Sequence, residues 1–121
     1  MFSARADPER QRMDIACDQA LEPEDVQRLI ESLKHEAAKL RPGWTAAVDF
    51  RGMWVNNPFA NEQFRLLQDA LIANGVGKIG TLLDSDPLKM RLWQSGTQTH
   101  SNEMTRRFHS PEEWEAFLSG S

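Results

Sequence analysis

Three acidic side chains follow two of the most apolar stretches of this chain, and they are the residues best suited to metal chemistry. Asp49 ends one stretch, and Asp84 and Asp86 follow another. If both stretches are parallel strands, these carboxylates meet at one edge of a sheet, where a hard cation could bind several oxygens. The structural interpretation is simpler: Asp86 precedes a proline where a helix N-cap is expected, and Asp49 pairs with a local backbone or basic group. We therefore expect no metal and no cofactor.

Nucleophiles and imidazoles are poorly placed for catalysis. Between Val48 and Gly75 the sequence has no Ser, Thr, Cys or His. The histidines at 35, 100 and 109 lack the spacing of a zinc motif. The serines lie in expected helix caps, near a glycine or at the termini, rather than on a strand-to-helix turn that would expose a nucleophile. We expect no catalytic residues and a protein that is not an enzyme.

The composition is typical of one globular domain, which we assign to residues 1–121. The chain has 121 residues, of which 40% are hydrophobic and 26% are charged. Its net charge is −4, and its basic residues are scattered, so nucleic acid is not an expected partner. A single cysteine, Cys17, lies in an expected strand and fits packing in a reducing compartment. Since no apolar run is long enough to span a bilayer, we expect a cytoplasmic protein.

Hydrophobic periodicity predicts the order of helices and strands. Alternating residues predict a hairpin over 2–17, and helical spacing predicts a first helix from Pro23 to about residue 40. A strand over 44–50, a helix ended by Asn74-Gly75 and a buried strand over 76–83 follow. A helix capped by Asp86, a weaker strand over 104–108 and a last helix capped by Ser110 complete the chain.

This order predicts an α/β fold with a mixed, mostly parallel sheet of about five strands and about four helices. The elements follow one another as β-β-α-β-α-β-α-β-α. The strand over 44–50 has a second face of small residues, Thr45, Ala47 and Asp49, which is either thinly covered or open.

Several local strings in this order resemble the SpoIIAA-like superfamily, which includes the STAS domains of anti-sigma-factor antagonists. The matching strings are Leu-Arg-Pro-Gly-Trp at 40–44, Val-Asp-Phe-Arg-Gly-Met at 48–53, Asn-Gly-Val-Gly-Lys at 74–78 and Phe-His-Ser-Pro-Glu-Glu-Trp-Glu-Ala-Phe-Leu at 108–118. The chain is most similar to the stand-alone bacterial branch of that group. The resemblance spans nearly the whole chain, and its specificity lies in the order and spacing of the strings.

The resemblance implies a regulatory domain that works mainly by binding other proteins. Some relatives carry a phosphorylatable serine at the start of the helix after the strand that corresponds to 44–50. Here the equivalent segment is Asn57-Pro58-Phe59, and proline cannot accept a phosphate. Switching by a kinase and a phosphatase is therefore not expected.

The segment after Asp49 is the predicted binding site for a protein partner or for a second copy of the chain. Its apolar residues have no periodic face to bury them, and a partly exposed tryptophan is common in binding hot spots. Trp54 and Phe59 could instead fold under the loop and staple the next helix. A small ligand, nucleotide-like or lipid-like, between the small-residue strand face and a helix is the alternative. The candidate site residues are Asp49, Met53, Trp54, Val55, Asn57, Phe59 and Asp84.

Overall fold

A computed structural model describes residues 2–17, 22–52, 60–83 and 105–119 of the chain. These residues form a five-stranded mixed sheet and three helices. The strands are β1 (Phe2–Asp7), β2 (Arg12–Cys17), β3 (Trp44–Asp49), β4 (Val76–Leu82) and β5 (Thr105–Phe108). The helices are α1 (Pro23–Ala37), α2 (Ala60–Ala73) and α3 (Pro111–Ser119).

The strands lie side by side in the order in which they occur along the chain. β1 and β2 form an antiparallel hairpin, whereas β2–β3, β3–β4 and β4–β5 are parallel pairs. The α/β class and the five-stranded mixed sheet agree with the sequence prediction. The prediction gave four helices and the described residues contain three, since the helix expected from Asp86 to Gly96 lies outside them.

The main hydrophobic core lies between one sheet face and the helices α1 and α2. Met13, Ala46 and Ile79 are aligned across β2, β3 and β4 on this face and are almost completely buried. Leu33 of α1 and Leu71 of α2 pack into the same core, as their helical spacing predicted. Burial of this apolar surface is the main force that holds the two helices on the sheet.

Trp44 ties the start of β3 to the end of α2. Its side chain is only 1% exposed, and its indole N–H donates to the carbonyl of Asn74 at 3.0 Å. Asn74 is followed by Gly75, which has a φ of +93° and provides the predicted left-handed end of α2. The tryptophan is therefore part of the core and unavailable as an exposed anchor.

The second face of the sheet is covered over β3 and β4 by α3. Ala47 is 1% exposed, and its partner in β4 is Gly80. A Cβ at Gly80 would lie 3.0 Å from Cδ2 of Phe117 and 3.1 Å from Cδ2 of Leu118. The row of small residues therefore allows α3 to approach the sheet closely at this point. This face is neither open nor thinly covered where Ala47 and Gly80 lie.

The described helices do not include a membrane-spanning one: none has both the length and the apolar composition that a bilayer crossing requires. Cys17 is buried in β2, in agreement with its expected place in a strand.

Candidate functional site

Of the candidate residues chosen from the sequence, the structure describes Asp49 at the carboxyl end of β3. Its carboxylate accepts hydrogen bonds from Nη2 of Arg51 at 2.9 Å, from Nε at 3.0 Å and from the backbone N–H of Arg51 at 3.2 Å. This is the local basic and backbone partner that the sequence predicted for Asp49. The other candidates lie outside the described residues: Met53, Trp54, Val55, Asn57, Phe59 and Asp84.

The contact with Arg51 fixes the charge of Asp49. Partial burial, the largest single influence, would raise the pKa of the carboxyl group. The side-chain and backbone hydrogen bonds from Arg51 together outweigh burial and leave the pKa of Asp49 lowered. Asp49 is therefore ionised at neutral pH and paired with a guanidinium. This state suits a structural anchor and is the wrong one for a general acid.

The remaining metal and imidazole candidates gain no support from the geometry. Within residues 2–17, 22–52, 60–83 and 105–119, no three His, Cys, Asp or Glu side chains come together as a possible metal site. Asp84 and Asp86 lie beyond those ranges, so the structure does not test the three-carboxylate alternative, and the absence of a metal stays a prediction. His35 is exposed on α1, as expected, and Nδ1 of His109 lies 3.3 Å from the carbonyl oxygen of Leu83.

A buried arginine that the sequence analysis did not single out joins β2 to α3. The side chain of Arg12 is 9% exposed, and its Nη1 and Nη2 donate to the two carboxylate oxygens of Glu115 at 3.2 and 3.0 Å. Its Nε donates to Asp14 at 3.1 Å, and its guanidinium carbon lies 6.0 Å from the ring centre of Trp114. Two parallel hydrogen bonds between a guanidinium and a carboxylate fix the relative orientation of the two groups as well as their separation. Arg12 therefore acts as a structural clamp for α3.

Replacing Glu115 with glutamine should loosen this clamp. The hydrogen bond from Arg12 lowers the pKa of Glu115, so the pair stabilises the fold above the unfolded-state pKa of about 4.3 and is lost as the pH falls through the folded-state value. Since the Glu115 side chain is 50% exposed, we expect a loss of only about 1 kcal/mol at neutral pH.

Urea unfolding at neutral and acidic pH, followed by circular dichroism, measures this effect. The difference between Glu115→Gln and the wild type should shrink on acidification. The control is Glu9→Gln in the exposed hairpin turn, which should leave the free energy of unfolding at neutral pH unchanged. If Glu115→Gln causes no loss of stability at neutral pH, or a loss that grows in acid, the Arg12–Glu115 salt bridge does not stabilise the fold as described.

A second arrangement missed at the sequence level is a groove between α3 and the last two strands. It is a surface cavity of about 530 Å³ lined by Lys78, Arg106, Phe108, Glu113, Ala116 and Phe117. No local pattern predicts this groove, because Lys78, Arg106 and Phe117 belong to three different elements, β4, β5 and α3. Only the β4–β5 pairing and the packing of α3 bring the three together.

Comparison with known proteins gave no match of any kind: no family model, no curated protein and no solved structure matches this chain. Membership of the SpoIIAA-like superfamily therefore stays a prediction from the strings in the sequence.

Proposed function

We propose that this chain is a non-enzymatic, STAS-like interaction domain that binds a protein partner, or a second copy of itself, in the cytoplasm. It lacks the phosphorylatable serine of anti-sigma-factor antagonists, so its binding is not switched at that position. Its binding surface is the segment that follows β3, together with Asp49 at the end of β3 and Asp84, which follows β4 in the sequence. The residues assigned to this surface are Asp49, Met53, Trp54, Val55, Asn57, Phe59 and Asp84.

The paired state of Asp49 is the observation that carries this proposal. The carboxylate of Asp49 accepts three hydrogen bonds from Arg51. It lies at the carboxyl end of β3, where α/β proteins commonly have their functional residues. A carboxylate held in this way contributes rigidity and charge to the edge of the sheet. The apolar segment beginning at Met53 follows directly, which favours recognition of another surface over chemistry on a substrate.

The state of other carboxylates supports the same conclusion. Three further carboxylates have a lowered pKa: Glu36, through the backbone N–H of Ala6 and through Lys39; Glu112, through a backbone N–H and Ser110; and Glu115, through Arg12. Catalytic acids more often have a raised pKa, produced by burial or by a second carboxylate. Two of these groups connect distant parts of the fold, since Glu36 accepts the backbone N–H of Ala6 and Glu115 accepts hydrogen bonds from Arg12.

Affinity capture from the native host, with mass spectrometry, tests the proposal. Wild-type protein should retain a specific partner, and Trp54→Ala, Phe59→Ala should lose it, because truncation of a hot-spot residue costs about 2 kcal/mol or more of binding free energy. Self-association would appear instead as a concentration-dependent change in mass by light scattering.

A matched control for this experiment changes exposed residues elsewhere. Gln27 and Ser32 lie on the exposed side of α1, and Gln27→Ala, Ser32→Ala should leave capture unchanged. All proteins should first show the same melting temperature. If the Trp54→Ala, Phe59→Ala variant is folded and keeps both its partners and its oligomeric state, the proposed surface is wrong.

A further inference from the structure

We propose that the groove between α3 and β5 binds a small organic monoanion, a carboxylate on an apolar body. This site differs from the segment after β3 and was not among the candidates found in the sequence. It lies on the sheet face covered by α3, over the last two strands. Its lining combines two cations, two phenyl rings, one alanine and one carboxylate.

The two cations are held over the same aromatic ring. Nζ of Lys78 lies 4.9 Å from the ring centre of Phe117, and the guanidinium carbon of Arg106 lies 5.7 Å from it. Nζ of Lys78 also donates to the backbone carbonyl of Phe117 at 2.6 Å. An ammonium has three donors, so two remain after this bond. Lys78 is therefore fixed in place and still able to bind an anion.

Neither cation of the groove is engaged in a salt bridge with another described residue. Arg12 and Arg51, in contrast, each form a salt bridge. The protein as a whole carries a net charge of −4, whereas the cations that line this groove outnumber its one carboxylate. A guanidinium offers paired donors that match the two oxygens of a carboxylate.

The floor of the groove suits an apolar body of modest size. The rings of Phe108 and Phe117 have centres 5.2 Å apart with an angle of 43° between their planes. Ala116 adds a small side chain that leaves space beside them. The cavity volume of 530 Å³ lies within the usual range for small-molecule sites, about 300–1,000 Å³.

Glu113 restricts the charge of the ligand. It shares the groove with Lys78 and Arg106, so the lining carries a net charge of +1 if all three side chains are ionised. A single carboxylate balances that charge, whereas a doubly charged phosphate group would leave an excess of negative charge beside Glu113. The lining therefore favours a monoanion.

Binding of phenylbutyrate to the full-length protein tests this inference, with uncharged phenylbutanol as the matched probe. Calorimetric titration should show saturable binding of phenylbutyrate and none, or far weaker binding, of the alcohol. Arg106→Gln should weaken phenylbutyrate about tenfold, since it removes a charge-assisted hydrogen bond. Arg5→Gln, which changes an exposed arginine on β1, should bind as the wild type does.

A second variant and a map of the site complete the test. Ala116→Leu fills the exposed groove without changing a charge and should also weaken binding. Amide chemical-shift changes should centre on residues 78, 106 and 116. The inference is overturned if phenylbutyrate does not saturate, if it binds no better than phenylbutanol, if Arg106→Gln and Ala116→Leu both bind like Arg5→Gln, or if the shifts map elsewhere. The titration uses the purified protein alone. A negative titration therefore rejects only the anion site, and a negative affinity capture rejects only the proposed binding surface after β3.

Discussion

Replacing Trp44 with alanine is expected to destabilise the fold by about 3–5 kcal/mol, the cost of emptying a large buried aromatic site. The side chain is only 1% exposed, and its indole N–H donates to the carbonyl of Asn74 at 3.0 Å. The substitution therefore creates a cavity and leaves a carbonyl at the end of α2 without its donor. As domains of this size are stable by only about 5–15 kcal/mol, the substitution removes a large share of the total stability.

Urea unfolding followed by circular dichroism measures this effect, and Trp44→Phe separates its two causes. Phenylalanine keeps most of the apolar volume and removes the N–H, so it should cost clearly less than alanine. A loss below about 1 kcal/mol for Trp44→Ala would show that this tryptophan is not a core residue. Unchanged partner capture by the folded Trp44→Phe protein would further separate core packing from binding.

Replacing Gly77 with alanine should cost about 2–4 kcal/mol, although Gly77 is exposed and the change adds one methyl group. A Cβ at this position would lie 2.5 Å from the carbonyl oxygen of Gly43 and 2.9 Å from its carbonyl carbon. The obstacle is backbone, which has no rotamer to change. The backbone of Gly43 is also held in place, since its N–H donates to the carbonyl of Gly75 at 2.7 Å.

The matched control for Gly77→Ala is the same change at Gly80 in the same strand. There the Cβ would meet side-chain atoms of Phe117 and Leu118 at 3.0 to 3.2 Å, and these can shift by a few tenths of an ångström. We expect Gly80→Ala to cost about 1 kcal/mol or less, because a methyl group in a strand also reduces backbone entropy in the unfolded state. A larger cost at Gly80 than at Gly77 would contradict the packing described here.

Local features of the fold were predictable because each depends on a few neighbouring residues. The alternation around Met13 and Ile15 predicted β2, and Asn74-Gly75 predicted the left-handed end of α2. Ser110 was predicted to cap α3, and its hydroxyl accepts the N–H of Glu113 at 3.4 Å. The carboxylate of Asp49 has the local basic partner that was expected.

Contacts between distant parts of the chain were not predictable in the same way. Arg12 and Glu115 are 103 positions apart, and no local pattern says that they meet. The small residues Thr45, Ala47 and Asp49 predicted a strand face that is thinly covered or open, whereas Ala47 and its partner Gly80 provide room for α3. Sequence periodicity shows which face of an element is apolar, but the element that covers it depends on the assembled sheet.

Site-specific photo-crosslinking in the native host tests the interaction surface most directly. A photoreactive phenylalanine analogue placed at Trp54 should form a covalent adduct with a protein partner, or with a second copy of the chain. The same analogue at Gln27, on the exposed side of α1, should form little or none. An adduct specific to position 54 is the result we predict. Equal labelling at both positions, or none at 54 in a folded protein, would contradict the assignment of this segment as the binding surface.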